Sequence, residues 1–294
     1  MIRQFDLALP DGVTLACRGV GLGPTRVMLL HGFPEAAFVW DEVMQRVANG
    51  LKPDAACVAP NLRGFVGSSA PTEVTAYRAK HVVGDMVAAI EALGAPLDLL
   101  VAHDWGGALA WNLAAQRPDL LRQLLIINSP HPATFLRELR NDPAQQAASA
   151  YMTFLCRPDA EALLCEDDYR RLWPFLESPV WLTNEVKDQY RQAWANGGRG
   201  LGPQLNYYRA SPLRPPAGPD DALHQLSLPD EAVTVRLPTT VLWGERDKAL
   251  LPGLLDGLQR WVPQLQIQRV PEASHWIVHE QPDRVAELIA SLLP

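Results

Sequence analysis

Leu99-Leu100-Val101-Ala102-His103-Asp104-Trp105-Gly106-Gly107 is the stretch on which the fold reading turns. Apolar residues end in a small one, two polar residues follow, and a helical pattern begins at once. A strand that runs straight into a helix must bend sharply. Small residues two places to either side of the apex, here Ala102 and Gly106, leave room for that bend. The side chain at the apex, Asp104, is then lifted above the sheet. At the helix N-terminus it meets free N–H groups and the positive end of the helix dipole, which favour its ionised form. A serine at this apex would attack a carbonyl and give an acyl ester. A carboxylate attacks a saturated carbon and gives an alkyl ester. The other task open to Asp104 is simply to cap the helix Trp105–Gln116.

Outward from this bend, short β-rich runs alternate with amphipathic ones. Thr25–Leu30, Ala55–Ala59, Leu97–Ala102 and Leu124–Ile127 read as buried strands, with helices over Arg78–Leu93 and Gly106–Gln116. Thr239–Trp243 and Leu265–Val270 add two later strands, and Val285–Leu293 reads as a closing helix. Such alternation implies an α/β fold with a mostly parallel central sheet covered on both faces. Pro10-Asp11-Gly12, between Phe5–Leu9 and Val13–Cys17, marks an antiparallel hairpin at the start. Residues 133–230 differ. They are helical in pattern and hold five of the six tyrosines and three of the nine tryptophans. They read as a helical cap inserted between two parts of the core, residues 1–132 and 231–294.

Composition narrows the function. The 294 residues are 48% apolar and 20% charged, normal for a globular chain and wrong for disorder. A formal charge of −7 with no basic tract speaks against a nucleic-acid partner. No apolar run approaches a membrane span, and Met1-Ile2-Arg3-Gln4-Phe5-Asp6 lacks the apolar region of a signal peptide. Cys17, Cys57, Cys156 and Cys165 are scattered and read as buried thiols. The expectation is a cytoplasmic enzyme. The histidines and acids lack a zinc-type spacing, so neither metal nor cofactor is expected, and no oligomer signal is legible.

Three motifs are in register: His31-Gly32-Phe33-Pro34-Glu35, Asn61-Leu62-Arg63-Gly64-Phe65-Val66-Gly67-Ser68-Ser69 and the bend's own His103-Asp104-Trp105-Gly106-Gly107. With these the sequence resembles the α/β-hydrolase fold, specifically its epoxide hydrolase and haloalkane dehalogenase branch, over nearly the whole chain. His31–Glu35 resembles that branch's HGxP signature. Asn61–Ser69 is similar to its D-x-R-G-x-G-x-S loop, with Asn61 in place of the usual Asp. His103–Gly107 resembles the epoxide hydrolase elbow. The resemblance implies a cis bond at Pro34. Such a turn aims the Phe33 N–H into the site, where with the Trp105 N–H it would form an oxyanion pocket. His31 and His103, inside motifs, are expected to brace the backbone by hydrogen bonds.

An alkyl ester must be hydrolysed, which needs a base for water and an acid to orient the base. Asp247, in Trp243-Gly244-Glu245-Arg246-Asp247, matches the family's acid, with Glu245 as its local competitor. His275, in Ala273-Ser274-His275-Trp276, matches the family's base, and Glu35 is expected to help position the water. His279, four residues on, reads as a helix-surface or packing residue. An epoxide oxygen leaves as an alkoxide and needs hydrogen-bond donors, preferably phenols. Asn206-Tyr207-Tyr208-Arg209 resembles the family's N-[WY]-Y-R motif, placing Tyr208 as one donor, with Tyr207 as the neighbouring rival. Ser149–Phe154 resembles the cap helix that supplies the other, Tyr151.

The implied function is hydrolysis of a small hydrophobic epoxide to a vicinal diol. A haloalkane or fluoroacetate-type dehalogenase is the nearest alternative, since it uses the same Asp-His-Asp set. Phe33 stands where a haloalkane dehalogenase carries the Asn of HGNP, and Trp105 where a fluoroacetate dehalogenase usually carries Arg. A non-catalytic hydrolase-fold ligand receptor is the alternative from another class.

Overall fold

The computed structural model describes residues 1–176 and 180–294. Eight strands form one sheet in the order β1-β2-β4-β3-β5-β6-β7-β8. They are β1 (Arg3–Ala8), β2 (Thr14–Val20), β3 (Thr25–Leu30), β4 (Ala55–Pro60), β5 (Leu99–His103), β6 (Leu124–Ile127), β7 (Thr239–Gly244) and β8 (Leu265–Val270). β1 and β2 form the expected hairpin and β2 runs antiparallel to β4. Every other pairing is parallel.

The two-residue period of a strand sorts its side chains between two cores. Leu99 and Val101 face one layer, with α1 (Asp41–Arg46) and the closing helix α12 (Pro282–Leu292). Leu100 and Ala102 face the other, with α2 (Ala79–Leu93) and α3 (Trp105–Gln116). All five residues of β5 are buried, as a central parallel strand requires. β5 begins two residues later than the apolar run suggests, because Leu97 makes only an isolated bridge to Leu121. The closing helix begins three residues earlier than the apolar pattern, since Pro282 suits a first helical turn.

Between β6 and β7 the chain is helical. This segment holds α4 (Pro132–Asn141), α5 (Pro143–Ala148), α6 (Tyr151–Leu155), α7 (Ala160–Tyr169), α8 (Asn184–Ala195), α9 (Gly202–Ala210) and α10 (Asp230–Val233). A short helix, α11 (Ile277–Glu280), precedes α12. No helix among the described residues is long and apolar enough to cross a membrane. The four cysteines are unpaired thiols, but only Cys17 and Cys57 are buried. Cys156 is partly exposed and Cys165 is exposed, because it sits on the solvent face of α7.

Candidate active site

The carboxyl ends of parallel strands are where an open α/β sheet offers its crevice. Asp104 sits there, between β5 and α3, with φ 50 and ψ −121. A positive φ is costly for a non-glycine residue, by roughly 1–3 kcal/mol, and persists only where its surroundings enforce it. Here the enforcement is steric and polar. A Cβ on Gly32 would lie 2.0 Å from Asp104 Oδ1, and one on Gly106 would lie 2.6 Å from the Leu30 carbonyl oxygen. Only glycine lets the β3 loop and the bend approach so closely. The Ser129 hydroxyl donates to the Asp104 carbonyl oxygen at 2.7 Å.

The Phe33 N–H donates to Asp104 Oδ1 at 2.7 Å. The Phe33–Pro34 bond is cis, as the motif implies. His31 braces this loop. Its Nε2 accepts from the Leu62 N–H at 3.1 Å and its Nδ1 lies 3.0 Å from the Gly32 carbonyl oxygen. Burial lowers the pKa of His31 to about 4, so it serves as a neutral strut.

Asp104 Oδ2 faces His275 Nε2 at 3.8 Å, and His275 Nδ1 lies 2.7 Å from Asp247 Oδ2. Asp247 is buried, which alone would raise its pKa. The facing His275, the Leu250 N–H and the Asn128 amide more than offset that, and it is held below the usual carboxylate range. Its Oδ1 accepts the Ala249 and Leu250 N–H groups, both at 2.9 Å. Asn128 donates to its Oδ2 at 2.8 Å. Glu245 is turned outward to Arg269 at 3.0 Å. Burial pulls the His275 pKa down, but Asp247 first, then Asp104 and Glu35, lift it to about 9.

Tyr151 on α6 and Tyr208 on α9 close the site from above, with ring centroids 6.1 Å apart. Burial raises the pKa of each hydroxyl, and the Asp104 charge raises it further, so both stay protonated donors. Tyr208 packs edge-on against Phe33 at 5.3 Å and Trp105 at 5.1 Å. The rival Tyr207 points elsewhere, donating to the Arg63 carbonyl oxygen at 3.0 Å. Two cavities, of about 260 and 310 Å³, meet at Asp104, Tyr151 and Tyr208. The smaller is lined largely by apolar groups, among them Leu109, Leu213 and Leu228. The larger opens past His275 and Asp247.

Glu35 is buried behind this site, among three side chains. Its Oε2 lies 3.2 Å from His103 Nδ1, and His103 Nε2 lies 2.9 Å from the His275 carbonyl oxygen. Its Oε1 accepts from the Tyr190 hydroxyl and from His279 Nε2, both at 2.8 Å. His279 is therefore not a surface residue. It turns inward, bonded to Glu35 and with Trp181 stacked on its ring at 4.0 Å. Sequence reasoning passed over Tyr190 and Asn128. The only signal for Asn128 is a polar residue directly after the apolar run of β6.

A profile of the alpha/beta hydrolase fold matches residues 25–282. The chain is 34% identical to AB hydrolase superfamily protein YfhM of Bacillus subtilis, over 96% of this chain and 95% of that one. It is 32% identical to epoxide hydrolase 3 of Xenopus tropicalis, over 91% of this chain and 71% of that one. Among solved structures, a variant of Bacillus megaterium epoxide hydrolase bound to its product, a naphthyloxy-propane-1,2-diol, superposes with a TM-score of 0.87 at 30% identity. The match covers 98% of this chain and 99% of that one. With a carboxylate at the elbow and this sheet order, the chain belongs to the α/β-hydrolase fold family and, within it, to the epoxide hydrolases. It is a hydrolase.

Proposed function

We propose that the protein converts an epoxide to a vicinal diol through an alkyl ester on Asp104. The observation that carries this is a carboxylate at the strained apex, with His275 Nε2 3.8 Å from one oxygen and the Phe33 N–H on the other. Asp104 Oδ2 attacks a ring carbon from the back. The C–O bond breaks, and the alkoxide takes a proton from Tyr151 or Tyr208. The Phe33 N–H stays on Oδ1, which is now the ester carbonyl oxygen.

Ester formation removes the Asp104 charge, one of the forces that keep a proton on His275. The proton His275 then releases returns to the tyrosinate, replacing the one it gave to the alkoxide. Neutral His275, oriented by Asp247, removes a proton from water as the water attacks Asp104 Cγ. The developing oxyanion on Oδ1 is held by the Phe33 N–H and, in this reading, by the Trp105 N–H at the start of α3. Collapse expels the diol and restores the carboxylate. Helices α4–α10 act as the cap that carries the phenols. Two phenols over the nucleophile suit an alkoxide leaving group. A halide would be better served by N–H donors.

The apolar 260 Å³ cavity suits an aryl or alkyl substituent, and the product bound by the Bacillus megaterium relative is of that kind. The test is a single turnover of naphthyl glycidyl ether in isotopically labelled water. The first diol should carry no label, its new oxygen coming from Asp104. Label appearing in that first diol would reject the ester. Halide release from fluoroacetate or a haloalkane, without any diol from the ether, would favour the dehalogenase reading.

A further inference from the structure

We infer that Tyr190 and His279 are positioning residues for the hydrolytic half of the reaction, clamping Glu35 so that His103 fixes His275 where water must be activated. This deepens the ester mechanism proposed above and rests on it.

The clamp is a continuous chain of polar groups, all buried except the partly exposed His279. It starts at the His275 carbonyl oxygen, passes through His103 to Glu35, and divides at Glu35 Oε1 between Tyr190 and His279. Tyr190 Oη and His279 Nε2 are themselves 3.0 Å apart. Tyr190 is fully buried and Glu35 is 1% exposed, so water cannot take the place of the Tyr190 hydroxyl. A buried carboxylate without donors protonates or moves. Burial alone would raise the Glu35 pKa, yet hydrogen bonds from His103 and His279 hold it well below the carboxylate range.

Two features tie the clamp to one step. First, it reaches His275 through its backbone, and His275 acts as a base only when the ester is hydrolysed. The two tyrosines that serve ring opening, Tyr151 and Tyr208, take no hydrogen bond from Tyr190 or His279. Second, of the carboxylates that raise the proton affinity of His275, Asp104 loses its charge in the ester, while Asp247 and Glu35 keep theirs. Glu35 therefore matters more in hydrolysis than in ring opening. Half of the clamp is carried by α8, whose Trp194 Nε1–H also donates to the Pro34 carbonyl oxygen at 2.7 Å. The inserted helices thus reach both steps, by Tyr151 and Tyr208 in ring opening and by Tyr190 in hydrolysis.

Stopped-flow tryptophan fluorescence with styrene oxide, together with quenched-flow counting of protein-bound substrate, separates the two rates. Tyr190→Phe and His279→Leu should slow hydrolysis by about ten- to a hundredfold, leave ester formation within about twofold, and accumulate the alkyl-enzyme. His279→Gln keeps an N–H donor and should recover most of the loss. Tyr190→Phe removes one oxygen only, so it keeps the test open if His279→Leu does not fold. Equal slowing of both steps, or no slowing of hydrolysis, would overturn the clamp. A failure of the unmutated protein to form any alkyl-enzyme would instead overturn the ester mechanism, and the clamp with it.

Discussion

Asp104, Asp247 and His275 stand at or after the ends of β5, β7 and β8, whereas Tyr151, Tyr190 and Tyr208 hang from α6, α8 and α9. The strand-borne groups are fixed by backbone geometry and short polar contacts. Asp247 alone takes four hydrogen bonds, from Asn128, Ala249, Leu250 and His275. The helix-borne phenols Tyr151 and Tyr208 also pack by their ring edges. Tyr151 rests on Phe175 at 5.9 Å and Tyr208 on Trp105 at 5.1 Å. In the mechanism proposed above, the sheet supplies a rigid nucleophile and base, and the helices supply donors whose aim depends on aromatic packing. In the proposed mechanism, damage to the sheet side stops a chemical step outright. Damage to the helix side changes how well a step is assisted.

The largest effect should come from the nucleophile. Asp104→Ala should lower diol formation by about 10⁴-fold or more with the fold intact, checked by steady-state turnover and circular dichroism. Next come the phenols. Tyr151→Phe and Tyr208→Phe should each slow ester formation by about ten- to a hundredfold, and the double variant by about 10⁴-fold, within the range of general acid catalysis. Burst kinetics should place the loss before the ester. A loss placed after it would erase the division drawn between the two regions.

Asn128→Ala takes away the acceptor of the Gly244 N–H and one donor to Asp247 Oδ2. Hydrolysis should slow by about tenfold and unfolding should show a loss of about 1–3 kcal/mol. Tyr207→Phe tests the helix side. It removes only the bond to the Arg63 carbonyl, so it should cost about 1 kcal/mol in urea unfolding and leave both chemical rates unchanged.

Stability should also depend on pH. His275 binds its proton more tightly in the folded chain, with its pKa raised from 6.5 to about 9. A raised folded value adds stability that is complete below about pH 6.5 and is lost as pH climbs through 9. Urea unfolding between pH 6 and 10 should show this decline, and His275→Gln should remove one proton's share of the slope.

The sheet and the bend at Asp104 were legible because backbone chemistry leaves marks in sequence. A bend with positive φ at Asp104 needs small flanking residues, and the close approach of the neighbouring loop needs Gly32. Both requirements are visible as letters at fixed spacing. The same holds for Asp247 and His275, which follow strands recognisable by their apolar runs. Tyr151 and Tyr208 were reached through motif resemblance, and choosing between Tyr207 and Tyr208 required the structure. On a helix, adjacent residues point about 100 degrees apart, and only the packing of α9 on Phe33 and Trp105 says which ring meets the site. His279, read as a helix-surface or packing residue, does pack, but its place beside Glu35 was not legible for a related reason. Glu35 is 244 positions away in the chain and Trp181 lies in the inserted helical segment. No local pattern encodes contacts of that range. Tyr190 was missed on the same ground.

The proposed ester on Asp104 is tested directly by intact-protein mass measurement of His275→Gln after incubation with naphthyl glycidyl ether. The protein mass should rise by that of one substrate molecule, and peptide mapping should place the gain on Asp104. Continued diol release at the unmutated rate with no bound substrate, or a gain mapped to any other residue, would contradict the covalent mechanism.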